Sequence, residues 1–287
     1  MAKYVILYNS LSGNGKGLES ANLLKGKLTG DTVRFEDITK ISDYGEFFEK
    51  TPGDEKIVIC GGDGTLNHFV NAYDTDALTR EIMYFPAGTG NDFLNDVKDE
   101  VGEPPFVLNP YLKDLPTVTI KGKRYKVLNG VGFGIDGYCC EVGDKVRESA
   151  PGKPVNYTSI AIKGLLFHFK PVNAVITVDG LKKSYKKVWL APTMKGRFYG
   201  GGMNATPDQK RLDPEHKLST LVFYGSGKLK TLMIFPGIFK GEHVKHTDCV
   251  EVLTGHDVTV EFDTPTALQV DGETILGVTN YHMVAER

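Results

Sequence analysis

A glycine-rich pentapeptide, GGDGT at residues 61–65, is the segment of this chain best suited to hold a phosphate group. It follows an apolar run at residues 56–60, typical of a buried strand, and precedes a helix-like segment at residues 66–73. Paired glycines let a backbone approach a phosphate closely, and the N-terminus of the next helix supplies N–H groups and a favourable dipole. Asp63 would repel a polyphosphate unless a cation bridged them, so it is a candidate for organising Mg²⁺ with a nucleotide. The alternative is a tight turn in which Asp63 only caps the following helix.

Two other loops of glycine, hydroxyl and amide residues follow neighbouring strands of the same predicted sheet. NSLSG, at residues 9–13, comes after a strand at residues 4–8, and PAGTGND, at residues 86–92, comes after a strand at residues 81–85. Ligands of open parallel sheets bind at the carboxyl ends of the strands, so we expect the three loops to converge on one nucleotide. The chain has no G-x-x-x-x-G-K-[ST] segment, which argues against an ordinary P-loop NTPase.

The elements that must position these loops alternate between strand and helix in the first half of the chain. Apolar spacing indicates a further strand at residues 32–35 and helices at residues 18–28 and 43–49. This alternation predicts a doubly wound α/β domain with a parallel sheet, the nucleotide-binding domain, at residues 1–113. A chain of 287 residues is long enough for a second domain.

Beyond residue 113 the pattern changes to short apolar strands punctuated by glycine and proline. It predicts an antiparallel β-sandwich domain at residues 114–287, interrupted by one amphipathic helix at residues 156–169. The predicted strands lie at residues 117–120, 125–132, 174–178, 187–191, 220–224, 258–262 and 267–270.

The composition favours a folded protein of a reducing compartment. Hydrophobic residues make up 40% and charged residues 24%, which excludes a disordered or fibrous chain. The four cysteines lack zinc-site spacing, the N-terminus lacks a signal-peptide pattern, and the apolar stretch at residues 232–239 is too short to span a bilayer. We therefore expect a cytoplasmic protein.

The charge is unevenly distributed, although the formal net charge is only −2. Residues 151–250 contain 14 Lys and 2 Arg against 6 Asp and Glu, a net charge of +10, which leaves −12 on the rest of the chain. Such a basic segment suits an anionic partner, either nucleic acid or phospholipid headgroups. A merely solvated face is the alternative.

The order of NSLSG, GGDGT and GTGND resembles the diacylglycerol kinase catalytic family, which includes bacterial diacylglycerol kinases, related lipid kinases and sphingosine kinases. The resemblance continues in GVGFGIDG at residues 130–137, GGGMNATP at residues 200–207 and VDGE at residues 270–273, and so spans nearly the whole chain. It implies a nucleotide-binding α/β domain and a β-sandwich domain with the active site in the cleft between them. It also implies a kinase that transfers the γ-phosphoryl group of ATP to a lipid hydroxyl, diacylglycerol being the first candidate.

The resemblance assigns roles to particular residues of this chain. Glu273 would be the proton acceptor for the lipid hydroxyl, since an alcohol has a high pKa and a nearby carboxylate can take its proton during the transfer. Without the resemblance, Glu273 would be interpreted as a solvated turn residue. Asp63 is the second catalytic candidate. The groups implied around ATP are Asn9, Ser10, Leu11, Ser12, Gly13, Thr39, Gly61, Gly62, Asp63, Gly64, Thr65, Leu66, Asn67, Gly88, Thr89, Asn91 and Asp92.

One position departs from the family pattern. The family usually has an Asp-Gly pair before the strand that matches residues 218–224, and its aspartate helps to hold a structural Mg²⁺; this chain has Glu215-His216. The implied metal ligands are Leu212, Asp213, Glu215 and Lys217, two of them through their backbone carbonyls. His216 is interpreted as a surface loop residue.

A lipid acceptor must be collected from a membrane, so we expect peripheral association with the anionic inner face of the membrane. Lys182, Lys183, Lys186 and Lys187, with Lys163 and Lys170, would supply the positive charge. A homodimer is possible, and no nucleic-acid motif is present. Two alternatives stay open: a soluble-substrate kinase similar to NAD kinase, which also uses GGDGT, and a non-catalytic module that binds anions or membranes.

Overall fold

The structure is a computed structural model that describes residues 1–88, 90–150 and 155–285. The chain forms two compact units, Met1–Asp114 and Leu115–Arg287. Within the described ranges, no helix combines the length and the hydrophobicity that a bilayer span requires.

The first unit is built on a five-stranded sheet in the order β2-β1-β3-β4-β5. The first four strands are parallel, as predicted, and a short antiparallel strand, β5, closes one edge. Consecutive residues Ile57, Val58 and Ile59 are all fully buried, so both faces of the sheet are covered. The strands are β1 Lys3–Tyr8, β2 Thr32–Asp37, β3 Glu55–Gly61, β4 Ile82–Pro86 and β5 Phe106–Val107.

The helices of the first unit follow the strands that they cover. Helix α2 packs Ala21 and Leu24 against Ile6 and Val58 in one buried core. The helices are α1 Ser12–Gly15, α2 Gly17–Lys27, α3 Tyr44–Lys50, α4 Asp63–Ala72 and α5 Asp92–Val97, and the 3-10 turns are Ile38–Lys40, Thr75–Ala77 and Asn109–Tyr111.

The second unit has a ten-stranded antiparallel sheet in the order β15-β14-β11-β8-β16-β17-β6-β7, with β9 paired to β16 and β10 paired to β9, and a separate two-stranded sheet of β12 and β13. Its strands are β6 Thr117–Ile120, β7 Lys123–Lys126, β8 Gly130–Gly134, β9 Val172–Val178, β10 Leu181–Val188, β11 Leu190–Met194, β12 Phe198–Tyr199, β13 Met203–Asn204, β14 Leu218–Phe223, β15 Val250–Gly255, β16 Asp257–Val270 and β17 Glu273–Val284. Phe133, Val260 and Tyr281 are fully buried in its core. The predicted fold class, α/β followed by antiparallel β, is confirmed.

The helical segments of the second unit were predicted least well. They are α6 Ile135–Ser149, α7 Tyr157–Lys163, a π-helix Gly164–His168, α8 Lys228–Ile234, and the 3-10 turns Phe235–Lys240 and Glu242–Lys245. Only the segment at residues 156–169 was predicted, and it is α7 running into the π-helix. Helix α6 was missed because Gly137 and Gly143 resemble loop residues. In the structure a Cβ at Gly137 would overlap the backbone of Ala267, so this glycine permits close helix–strand packing.

Three strand predictions were also wrong in their boundaries. The single strand predicted at residues 187–191 is the end of β10 and the start of β11, which are separated by a bend at Trp189. The single strand predicted at residues 125–132 is the end of β7 and the start of β8, separated by a bend. The two strands predicted at residues 258–262 and 267–270 are parts of the continuous β16, whose register shifts between Glu261 and Leu268.

Candidate active site

The carboxyl ends of three parallel strands lie side by side in the first unit. Tyr8 at the end of β1 is opposite Cys60 of β3, and Gly61 at the end of β3 is opposite Pro86 at the end of β4. Asn9, the GGDGT loop and the PAGTGND loop therefore begin at one edge of the sheet. The three loops predicted to converge are brought together by this register.

The glycines of two of these loops touch. A Cβ on Gly88 would lie 2.5 Å from the Cα of Gly62, and one on Gly62 would lie 2.8 Å from the Cα of Gly88. Carbon atoms of two separate residues do not approach each other this closely, so both positions require glycine. Gly62 has φ −105°, which any residue can adopt. Close approach of the two loops is therefore the reason for glycine here, and positive φ is not.

Asp63 connects the same two loops through its side chain. Its Oδ2 accepts a hydrogen bond from the N–H of Asp92 at 2.9 Å, and its Oδ1 accepts one from the N–H of Phe93 at 2.8 Å. Asp63 thus caps the N-terminus of α5, in which Asn91 precedes the first helical residue with φ +49°. The carboxylate also stands at the first residue of α4, beside the turn that was predicted to hold phosphate.

Asp37, the last residue of β2, ties two further predicted segments to this edge. Its Oδ1 accepts hydrogen bonds from the Thr39 N–H (3.1 Å), the Thr39 hydroxyl (2.8 Å) and the Ser10 N–H (3.4 Å). Burial favours the neutral acid, but the hydrogen bonds from Ser10 and Thr39 outweigh it and hold the pKa of Asp37 below its ordinary value. Sequence reasoning missed Asp37; its place as the last strand residue at the loop edge is the signal that would have found it.

The predicted ATP-binding side chains differ in accessibility. Leu11 is 77% exposed, whereas Thr65 and Leu66 are 2% and 0% exposed. Leu66 is a core residue of α4, so only backbone groups at that position can face a ligand. Ser12 donates its hydroxyl to the carbonyl of Asn9 at 2.8 Å, which closes the first loop on itself. Thr89 lies outside the described residues.

In the second unit, VDGE forms the tight turn between β16 and β17. Val270 pairs with Glu273, and the two residues between them, Asp271 and Gly272, have φ values of +47° and +91°. Positive φ at both positions is the pattern of a type I′ hairpin turn, for which Asp-Gly is a preferred pair. Glu273 is the first residue of β17 and is exposed to solvent.

Asp271 fixes this turn to the loop that precedes β8. Its carboxylate accepts hydrogen bonds from the backbone N–H groups of Leu128 (2.7 Å), Asn129 (2.7 Å) and Gly130 (3.0 Å). Arg211 donates to the carbonyl of Leu128 at 2.6 Å and holds the same loop from its other side. Asp271 was seen in the sequence only as part of VDGE, and its structural role follows from contacts more than 140 positions away along the chain.

A buried polar group is formed around Asp136, which belongs to the GVGFGIDG segment and is the second residue of α6. Asp136, Gln269 and Tyr199 are each 5% exposed or less, and both carboxylate oxygens of Asp136 have no hydrogen-bond partner among the described residues. Burial raises the pKa of Asp136 to about 6, against the smaller opposing effect of nearby backbone and side-chain donors. Gln269 accepts a hydrogen bond from the Gly272 N–H at 2.9 Å, so this group also supports the VDGE turn.

The residues implied as structural Mg²⁺ ligands are arranged otherwise. The carboxylate oxygens of Asp213 accept hydrogen bonds from the N–H groups of Glu215 (3.3 Å) and Lys217 (3.1 Å), and the Lys217 ammonium pairs with the Glu215 carboxylate. The carbonyl of Glu215 contacts His256 Nε2 at 2.6 Å. No group of three or more acidic, histidine or cysteine ligands occurs in the described ranges.

These residues do not fit a divalent cation, because an ammonium group and backbone donors already occupy the acidic oxygens. Leu212 is 49% exposed and adds no acidic group. His216 has φ +54°, a conformation that favours glycine, which agrees with the glycine that the family usually has there. The departure at Glu215-His216 therefore keeps the shape of the loop and changes its chemistry.

Family models match both units. Residues 3–114 match the diacylglycerol kinase catalytic domain, and residues 129–284 match the YegS C-terminal NAD kinase beta sandwich-like domain. The chain is 27% identical over 281 residues to a diacylglycerol kinase of Mycobacterium tuberculosis, an alignment that covers 92% of this chain and 86% of that protein. The crystal structure of a diacylglycerol kinase from Bacillus anthracis superposes with a TM-score of 0.59 at 16% identity, covering 99% of this chain and 94% of the other. At that identity the superposition shows the shared fold.

Proposed function

The chain belongs to the diacylglycerol kinase catalytic-domain family of lipid kinases, and from this premise we propose that it transfers the γ-phosphoryl group of ATP to the hydroxyl of diacylglycerol. The products are ADP and phosphatidic acid. The observation that carries the proposal is the meeting of three glycine-containing loops at the carboxyl edge of the parallel sheet, where such sheets bind nucleotides.

The loop edge of the first unit supports binding of MgATP as the phosphoryl donor. At Gly62 and Gly88 the two loops approach each other backbone to backbone. The start of α4 at Asp63 places a helix N-terminus beside them, which favours phosphate. Asp63 is a carboxylate, the type of oxygen ligand that Mg²⁺ takes when it is bound together with substrate phosphates. We assign it to the Mg²⁺ that accompanies the nucleotide.

Glu273 is the group assigned to the acceptor. In the transfer, the lipid hydroxyl oxygen forms a bond to the γ-phosphorus while the bond from that phosphorus to the bridging oxygen breaks, and ADP leaves with the electron pair. The hydroxyl proton passes to the Glu273 carboxylate. An exposed carboxylate on a turn that Asp271 and Gln269 hold in place suits this role, because it is accessible and fixed in position.

The lipid acceptor is drawn from an anionic membrane surface. The positive charge of residues 151–250 supports this partner, since each lysine near an anionic bilayer contributes on the order of 1 kcal/mol. The segment with the net charge of +10, residues 151–250, lies within the unit that carries Glu273.

A phosphorylation screen tests the proposal directly. The purified chain is incubated with γ-labelled ATP and MgCl₂ and, separately, with diacylglycerol, phosphatidylglycerol, a sphingoid base, a polyprenol and NAD. We expect labelled phosphatidic acid from diacylglycerol, at a rate that the Glu273→Gln variant lowers. Label on another lipid alone would show that the chain is a lipid kinase with a substrate other than diacylglycerol. Label on NAD alone, or on none of them, would overturn the proposal.

A further inference from the structure

The second unit exposes three large apolar side chains on two neighbouring helical elements. Phe167 in the π-helix is 71% exposed, and Leu229 and Met233 in α8 are 75% and 76% exposed. Leu229 and Met233 are four residues apart, so they lie on one side of α8. Scattered exposed apolar residues need no explanation, but three such side chains together mark an interaction surface.

The two elements are held against each other, which makes these side chains one surface. The Lys228 ammonium, at the start of α8, donates to the carbonyl of Leu166 in the π-helix at 3.1 Å. Inward-facing residues of both elements, Leu165 from the π-helix and Ile234 from α8, belong to one buried core. Because the inner sides share a core, the outer sides face solvent next to each other. We call Phe167, Leu229 and Met233 the apolar patch.

Lysines border the apolar patch, and acidic residues are absent from the segments that form it. Residues 155–170 and 225–241 together contain five Lys and no Asp or Glu. Lys163, Lys170 and Lys228 are exposed, and among the residues that the structure describes only Lys230 of the five is paired with an acid, Asp248. Leucine and aromatic side chains beside lysines are the composition of surfaces that lie in the headgroup region of anionic bilayers.

The lysines of β10 are arranged less favourably. Successive residues of a strand point to opposite faces, so Lys182 and Lys183 diverge, and Lys183 is paired with Glu251 at 2.7 Å. Beside them β10 exposes one large apolar side chain, Leu181 at its first residue. This edge therefore offers charge without an apolar surface that could enter a bilayer.

We propose that the apolar patch, bordered by Lys163, Lys170 and Lys228, docks the second unit on an anionic phospholipid bilayer. The three apolar side chains enter the headgroup and upper acyl region, and the lysines contact lipid phosphates. This inference rests on the proposed function, because docking would serve to bring the chain to its lipid substrate. Binding itself does not depend on catalysis and is measured apart from it.

The test compares a patch variant, Leu229→Ser with Met233→Ser, with a matched control on β10, Lys182→Glu with Lys186→Glu. All four side chains are exposed, so circular dichroism and thermal unfolding should match those of the wild type. Cosedimentation is measured with phosphatidylcholine vesicles with and without phosphatidylserine. We expect the patch variant to bind phosphatidylserine vesicles at least about tenfold more weakly, and the control to stay within about threefold of the wild type. Phe167→Ser, made separately, should weaken binding in the same direction.

Activity on two substrates separates this inference from the proposed function. The patch variant should lose activity on long-chain diacylglycerol embedded in vesicles and keep wild-type activity on a short-chain, water-soluble diacylglycerol. If the wild type has no activity on either substrate, the proposed function is refuted. The vesicle-binding measurement then still decides the docking inference. Unchanged vesicle binding by the patch variant would overturn the docking inference. A second result would also overturn it: the wild type sediments as a dimer, and the patch substitutions dissociate this dimer but leave vesicle binding unchanged. The patch would then join two copies of the chain.

Discussion

The carboxylate of Asp63 accepts hydrogen bonds from the backbone N–H groups of both Asp92 and Phe93, so a residue of the GGDGT loop caps a helix of the neighbouring loop. The sequence offered two roles for Asp63, a cation-organising carboxylate or a cap for its own helix α4. The structure shows a third role, a cap for α5, which begins 29 positions later. One side chain thereby fixes the spacing of two of the loops that we assign to ATP.

Substitution of Asp63 should separate its structural role from its catalytic role. Asp63→Ala removes both acceptors from α5 and should lower the free energy of unfolding by about 1–2 kcal/mol, the usual scale for a lost cap. Asp63→Asn keeps one oxygen acceptor and should cost less stability. Both variants should lose at least about tenfold in turnover at saturating Mg²⁺, because neither carries the charge that organises MgATP. Urea denaturation and initial rates measure the two effects. Wild-type turnover by Asp63→Asn would leave Asp63 as a cap alone.

Glu273→Gln should lower turnover by roughly 10²-fold or more, the scale of a lost general base. Glutamine preserves the size of the side chain and its place in the type I′ hairpin but cannot accept the hydroxyl proton. ATP affinity, measured by calorimetry, should not change. Glu261→Gln, an exposed substitution on β16, is the matched control and should behave as the wild type. A loss of ATP affinity in Glu273→Gln would instead move Glu273 into the nucleotide site.

Asp136 should make stability depend on pH, because burial raises its pKa to about 6 from an ordinary value near 3.8. The folded state binds this proton more tightly than the unfolded state. The contribution of Asp136 to stability is therefore complete below about pH 4 and is lost as the pH rises through 6, by a total of about 3 kcal/mol. Asp136→Asn cannot ionise, so its stability relative to the wild type should increase by up to that amount between pH 4 and pH 8. Denaturation in urea across this range measures the difference.

A matched control keeps that experiment specific. Asp208→Asn, at an exposed position, should follow the wild-type profile at every pH. Parallel profiles for the wild type and Asp136→Asn would show that Asp136 ionises in the folded protein as easily as in the unfolded one.

Removal of divalent metal should leave the ligand-free fold unchanged. The oxygens of Asp213 accept backbone N–H groups and Glu215 pairs with Lys217, so this loop is closed without a cation. Thermal unfolding should be the same in EDTA and in MgCl₂, whereas a metal present at 100 times its Kd would add about 2.7 kcal/mol. A stabilisation by Mg²⁺ that disappears in Asp213→Asn would restore the structural metal site of the family to this loop.

The sequence by itself determined the parallel sheet, the three loops and the family. Continuous apolar runs that end in glycine-containing loops are local signals, and the register of parallel strands then requires those loops to share an edge. The order of the motifs along the chain carried the resemblance, which the family models confirm over residues 3–114 and 129–284.

Tertiary structure alone decided what the polar side chains of these motifs do. Three features join segments that are from 29 to more than 140 positions apart along the chain. They are the cap of Asp63 on α5, the hydrogen bonds that Asp271 accepts from Leu128, Asn129 and Gly130, and the apolar patch. No local pattern encodes such contacts. Helix α6 was hidden for the same reason, because the glycine that lets it pack against β16 looks like a loop residue until its neighbour in space is known.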